Sequence, residues 1–307
     1  MILGGTRFTG RAAAGMLVKD GHEVTVISRN LNIPKSVFRY IIAERHAGLK
    51  QIEGHAFDAT VDFICSGEQD VEDVYQNIYP GLYVLISTVW LAKREGNESQ
   101  FPILPETTER YLKGKKSAEQ AVFYKRQRGH PGTSLRLPIQ SGINDHTRRL
   151  LFYLDRIADK SGLVLVNGGM NRFQIVNNQD VALDLTRALY QNILGSCAVW
   201  DAMPDNDITV KHLIGVMAGS DEIHSYDISS ERLAKLFPEY LEQEPFWREY
   251  PLKRLDNNLF RVLGIVPKAI EEWVPALCNQ TESLKHSALR SKEIAIINDF
   301  KNTLLNG

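Results

Sequence analysis

Along the first half of the chain, short continuous apolar runs alternate with segments in which apolar residues recur every three to four positions. That is the pattern of buried parallel strands separated by amphipathic helices. Ile2-Leu3 opens the series and breaks into Gly4-Gly5. Residues 11–20 then carry Ala13, Ala14, Leu17 and Val18 on one helical stripe, which Gly21 ends as a C-cap. Residues 23–29 read as a strand rich in β-branched side chains, and 37–43 as a third strand followed by Glu44-Arg45. A fourth strand spans 57–65, its continuous apolar end suited to burial on both faces. Val71, Val74, Tyr75 and Ile78 predict a helix over 70–79, stopped by Pro80-Gly81. The fifth strand, 82–88, ends in Ser87-Thr88; a polar loop over 89–107 precedes a long helix capped by Thr107 or Thr108, and 133–138 is the sixth strand.

Beyond residue 140 the alternation loosens. Helices are expected at 150–158 and 180–192, short strands at 163–166 and 173–176, a smaller α/β portion over 198–263, and a polar helix at 282–305. The expected architecture is α/β: a doubly wound parallel sheet over 1–140, and a smaller C-terminal substrate-binding portion over 141–307, interleaved with the first. Ile2-Leu3 is shorter than the usual ~5-residue strand. Either the first strand is stunted or residues precede Met1.

Composition narrows the partners. Lys+Arg of 36 against Asp+Glu of 37, with a pI near 6.7, provides no basic excess for a polyphosphate backbone, so no nucleic acid is expected. Cys65, Cys197 and Cys278 are too few and too scattered for a disulfide framework or a zinc site, and no metal is expected. No apolar run approaches the ~20 residues of a spanning helix. The expectation is a cytoplasmic protein without membrane contact.

Two patterns carry chemistry. The first is Gly4-Gly5-Thr6-Arg7-Phe8-Thr9-Gly10, between a strand and a helix inside a βαβ unit. Glycines let the backbone turn and approach a pyrophosphate closely, while the helix start offers N–H groups and the positive end of its dipole. The residue after the second strand faces the adenosine ribose, where an acidic side chain would bind a free 2′-hydroxyl. This chain has Ser28-Arg29-Asn30 there, so a 2′-phosphate and NADP are favoured over NAD, with Arg7 as a second cation. The second pattern is Tyr111 and Lys115, four residues apart and therefore on one helical face. An ammonium near a phenol stabilises the phenolate and brings a poor acid/base toward the working pH range. Lys115 could also hold the nicotinamide ribose hydroxyls, and Thr88 or Ser87 could orient a substrate oxygen.

Together these residues resemble the short-chain dehydrogenase/reductase superfamily in its extended or atypical branch, nearest to the NAD-dependent epimerase/dehydratase-like group that includes the chloroplast stem-loop-binding proteins. The matching stretches are residues 4–10, Phe57-Asp58-Ala59-Thr60-Val61-Asp62, Ile86-Ser87-Thr88, Tyr111-Leu112-Lys113-Gly114-Lys115 with Ala118-Glu119, and Leu135-Arg136-Leu137-Pro138. The resemblance implies a Rossmann-type domain with NAD(P) across its strand ends, catalysis by Tyr111 and Lys115, and cofactor contacts from Glu44, Ile64 and Pro138. Two positions depart from the family pattern: Arg7 replaces a middle glycine, and Val89 stands where the active-site Ser/Thr is usual. The first functional expectation is NADP(H)-dependent reduction of a carbonyl or imine in a small metabolite, with Tyr111 as proton donor. A nucleotide-sugar epimerase is the enzymatic alternative; a non-catalytic NAD(P)- or RNA-binding regulator is the alternative of another class. A homodimer is possible, because the tyrosine-bearing helix often forms a dimer face in relatives.

Overall fold

A computed structural model describes residues 1–30, 39–96, 104–147, 149–204, 207–220, 223–246, 258–278 and 288–305. In chain order the first elements are β1 (Ile2–Leu3), α1 (Phe8–Lys19), β2 (Thr25–Ser28), β3 (Arg39–Ile42), α2 (Arg45–Lys50), β4 (Ala59–Asp62) and α3 (Glu68–Asn77). They are followed by β5 (Leu82–Thr88), α4 (Val89–Arg94), α5 (Glu106–Gln127), β6 (Gly132–Leu137), β7 (Ile139–Ser141) and α6 (Arg149–Ala158). Later elements include β8 (Leu163–Val166), β9 (Arg172–Phe173), β10 (Ile175–Asn177), α7 (Asn178–Tyr190) and β11 (Val199–Asp201). The chain divides into two compact units, one of Met1–His146, Val176–Asp205 and Pro251–Pro267, the other of Thr147–Ile175, Asn206–Tyr250 and Lys268–Gly307.

The first unit holds a seven-stranded sheet in the order β11-β6-β5-β4-β1-β2-β3, every neighbouring pair parallel. Strand alternation sorts its side chains between two faces. Val84 and Ile86 of β5 pack with Ala13 of α1 and Val181, Ala182 and Leu185 of α7. Tyr83 and Leu85 pack on the opposite face with Val71 and Val74 of α3 and Ala118, Ala121 and Val122 of α5. Each fully buried Val, Leu or Ile side chain among these contributes about 1.5–3 kcal/mol. The strand order reverses between β1 and β4, so their C-terminal ends open the crevice in which doubly wound sheets bind ligands.

The second unit carries β8 paired in parallel with a strand at Ser225–Ile228. Val164, Val166, Ile228, Phe237, Tyr240 and Ile297 form its core. Arg156 and Arg290 are buried there in ion pairs with Glu293 and Asp159.

Several boundaries differ from the sequence reading. The strand expected over 57–65 stops at Asp62, and 63–67 become a loop at the strand end. The helix expected from residue 11 starts at Phe8, drawing Phe8, Thr9 and Gly10 into its first turn. The polar stretch after Thr88 begins with α4, because the Thr88 side chain accepts from the backbone N–H of Trp90 and caps it. The third strand is Arg39–Ile42; residues 37 and 38 of that expectation, and 282–287 of the last helix, lie outside the described residues.

Candidate active site

The glycine-rich turn is shaped by contacts that only glycine permits. Gly4 has φ +84°, and a Cβ there would sit 2.5 Å from Ile64 Cγ2. A Cβ on Gly10 would lie 2.6 Å from the Gly4 carbonyl oxygen, so the first turn of α1 closes directly onto the end of β1. Arg7 occupies the extended N-cap position, no side chain caps the helix, and its first turn has no acidic residue. Phe8 opens the helix at φ +47°, a left-handed conformation costing a non-glycine residue about 1–2 kcal/mol. Backbone N–H groups in this arrangement fit a pyrophosphate.

The surrounding side chains lock the turn to neighbouring strand ends. Thr6 Oγ1 and Ser28 Oγ share a hydrogen bond of 2.7 Å, joining the turn to the end of β2. Thr9 donates to Gln140 Oε1 at 2.5 Å, which brings β7 to the same place. In the sequence no carboxylate follows β2 before Glu44, and Arg29 and Asn30 after Ser28 are both exposed, as is Arg7. Glu44 is an exposed residue at the N-cap of α2. Ile64 lies half exposed against Gly4, and Pro138 is buried between β6 and β7. The residues present therefore fit a nicotinamide dinucleotide: a cradle that a Cβ would fill, an uncapped helix start, and hydroxyls and cations at the ribose end.

Lys115 is the group around which the other end of the crevice is built. It is 5% exposed, and its Nζ donates to Ile86 O at 2.7 Å and Cys65 O at 2.8 Å, main-chain acceptors near the end of β5 and in the loop after β4. Burial pushes the ammonium below the ordinary lysine value, against the raising influence of Cys65, Asp62, Asp70 and Glu119. Tyr111, one turn earlier on α5 and 47% exposed, holds its ring centroid 5.8 Å from that Nζ. The Cys65 thiol donates to Gly67 O and burial pushes it up to about 12, so it is no nucleophile at neutral pH.

The two strand-end hydroxyls separate. Ser87, expected beside Thr88 as a substrate-facing group, donates instead to Glu119 Oε1 at 2.6 Å and is buried; its hydroxyl ties β5 to α5. Thr88 is the N-cap of α4. Val89, at the position where the family resemblance implies a hydroxyl, is buried with Ala92 and Met203. Three features were missed from sequence. Gln140 reaches the turn from β7. Asp62 accepts from Arg45 Nη1 and Nη2 and from the Tyr83 hydroxyl, at 3.0, 2.5 and 2.7 Å. Glu119 accepts from Arg136 Nε and Nη2 at 2.9 and 2.6 Å. The only signal available for the last two was a charge inside an apolar strand, which is costly to bury without a partner.

No family model matches the sequence, and no curated protein matches it. Solved structures do match over nearly the whole chain. UDP-N-acetylglucosamine 4-epimerase from Bacillus cereus is 17% identical, with 91% of this chain and 97% of that chain covered at a TM-score of 0.63. dTDP-glucose 4,6-dehydratase from Bacillus anthracis, solved in complex with NAD, is 14% identical, covering 91% and 94% at 0.64. The chain has the Rossmann-type fold of these epimerases and dehydratases. A putative epimerase from Burkholderia cenocepacia agrees, at 15% identity, 94% and 97% coverage and a TM-score of 0.65. Among the described residues, no helix is long and apolar enough to cross a membrane.

Proposed function

We propose that the protein is an NADP(H)-dependent oxidoreductase of the short-chain dehydrogenase/reductase type that reduces a carbonyl or imine of a small metabolite. The observation that carries this reading is the buried Lys115 ammonium, held between the ends of β4 and β5 with Tyr111 beside it. A lysine so placed is costly to bury and serves a phenol that must release and regain a proton. The absence of a carboxylate after β2, with Arg29 in its place, supports NADP over NAD.

The dinucleotide, when bound, supplies a hydride to the substrate carbon. Tyr111 donates its phenolic proton to the substrate oxygen or nitrogen, so that hydride and proton together complete the reduction. Lys115 lowers the cost of the phenolate left behind through its positive charge, carried by an ammonium that is itself buried. Thr88, at the end of β5, is the hydroxyl that would orient the substrate heteroatom. Gly4 to Gly10, Thr6 with Ser28, Arg29 and Gln140 would hold the phosphates and the adenosine ribose.

A second reading, a nucleotide-sugar epimerase, draws on the relatives of known structure, which include a UDP-N-acetylglucosamine 4-epimerase. The same tyrosine and lysine could oxidise and then re-reduce a sugar hydroxyl without net cofactor use. The discriminating experiment incubates purified protein with NADPH and a panel of aldehydes, ketones and imines, and separately with nucleotide sugars. Stoichiometric NADPH loss supports the reductase. Sugar interconversion without net loss supports the epimerase, and absence of both overturns the enzymatic reading in favour of a binding protein.

A further inference from the structure

Two buried carboxylates, each paired with a partly buried guanidinium, converge on the two acceptors of one ammonium. Ile86, whose carbonyl accepts from Lys115, is followed by Ser87, whose hydroxyl donates to Glu119 Oε1 at 2.6 Å. Glu119 stands one turn beyond Lys115 on α5, so the same helix grips two consecutive residues of β5. Its carboxylate is fixed in turn by the bidentate Arg136 on β6. On the other side, Cys65 lies in the short loop after Asp62. Asp62 is fully buried and accepts from Arg45, from Tyr83 and from the backbone N–H of Ile64 at 3.1 Å. Arg45 also donates to Asp70 O at 2.7 Å, while Asp70 Oδ2 accepts from Ser66 N and Oγ at 2.6 and 2.7 Å. The loop is pressed against α5 so closely that a Cβ on Gly114 would lie 2.1 Å from Ser66 O.

Buried ion pairs are poor sources of net stability, because desolvation offsets their attraction. Their placement here has a different consequence. Lys115 has one main-chain acceptor near the end of β5 and one in the loop after β4, and each pair fastens the segment that carries one of them. We propose that Glu119 with Arg136, and Asp62 with Arg45, are positioning residues that hold the Ile86 and Cys65 carbonyls in place and so aim the Lys115 ammonium at Tyr111. This rests on the assignment of Lys115 as the catalytic lysine.

The test follows the Lys115 Nζ–H3 signal by NMR in the full chain labelled with 15N-lysine, assigned by its loss in Lys115→Met. Ser87→Ala cuts the link to Glu119 without changing any charge, and Glu119→Gln weakens the Arg136 grip. Both are expected to speed exchange of the Lys115 ammonium protons with water about tenfold, the equivalent of losing one buried hydrogen bond of about 1.4 kcal/mol. Wild-type exchange in Ser87→Ala overturns the proposal, even if melting temperature falls, since a merely structural role would lower stability and leave this signal alone. Should Glu119→Gln fail to fold, Ser87→Ala decides by itself. Binding of NADPH and NADH to the wild-type protein is measured in parallel. A chain that binds neither refutes the dinucleotide reading, while the exchange comparison still decides whether the clamp exists.

Discussion

Asp184 is a buried carboxylate on α7 that neither of its oxygens satisfies: it is 2% exposed, and both Oδ1 and Oδ2 are without a hydrogen-bond partner among the described residues. Burial, reinforced by Asp180 one turn earlier and opposed by Arg187, raises its pKa from 3.8 to about 7. A carboxylate raised in the folded state binds its proton more tightly there than in the unfolded chain. The contribution of this group to stability is therefore greatest below about pH 4, declines as pH rises toward about 7, and falls no further above that. The interval from 3.8 to about 7, at 1.36 kcal/mol per pH unit, bounds the loss at about 4 kcal/mol. Water entering a relaxed site brings this nearer to about 2 kcal/mol. Asp184→Asn removes the ionisation while keeping the shape. Urea unfolding of both proteins between pH 4.5 and 8, a window of about 3.5 units chosen to span the titration, is expected to give similar midpoints at the acid end. The variant then becomes progressively the more stable, with the gap levelling off near neutrality and slopes unchanged. Wild-type and variant curves that stay parallel across the whole range would refute the reasoning.

Three further outcomes are expected. Tyr111→Phe lowers turnover by about 10²–10⁴ while sparing dinucleotide affinity, since it removes the proton and keeps the ring; unchanged turnover in a steady-state assay would remove Tyr111 from the chemistry. Arg29→Asp shifts the ratio of NADPH to NADH dissociation constants toward NADH by about tenfold or more, the scale of one lost charge-assisted contact and one added repulsion, read by fluorescence titration. Gly10→Ala places a Cβ 2.6 Å from the Gly4 carbonyl, so the turn must open. Its expected result is a loss of about 1–3 kcal/mol in stability together with weakened binding of both dinucleotides, checked by thermal melts with and without NADPH.

The parallel sheet was legible in the sequence because buried strands and amphipathic helices leave different periodicities, and residues 2–29 contain a complete βαβ unit. The glycine turn, Ser28-Arg29 and the Tyr111/Lys115 pair stand out as candidates in the sequence because each is a local pattern with a local physical reason. Residues 63–65 differ from the strand expectation, since apolar Phe63 and Ile64 continue the strand pattern while Asp62 ends the strand by drawing Arg45, Tyr83 and the Ile64 N–H onto one carboxylate. Ser87 and Thr88 looked equivalent in sequence. What separates them is the partner: Glu119, 32 residues away, takes one hydroxyl, and the first turn of α4 takes the other.

Local sequence thus determined which residues are proposed to carry the chemistry of this protein: small ones where backbone would approach a phosphate, a phenol and an ammonium one helical turn apart. Only the tertiary structure decided how they are held. Gln140, Asp62 with Arg45, and Glu119 with Arg136 act across separations of 17 to 131 residues. No periodicity encodes such pairings, because they exist only once the sheet brings its strand ends together and the cost of burying each charge selects the partner that can meet it.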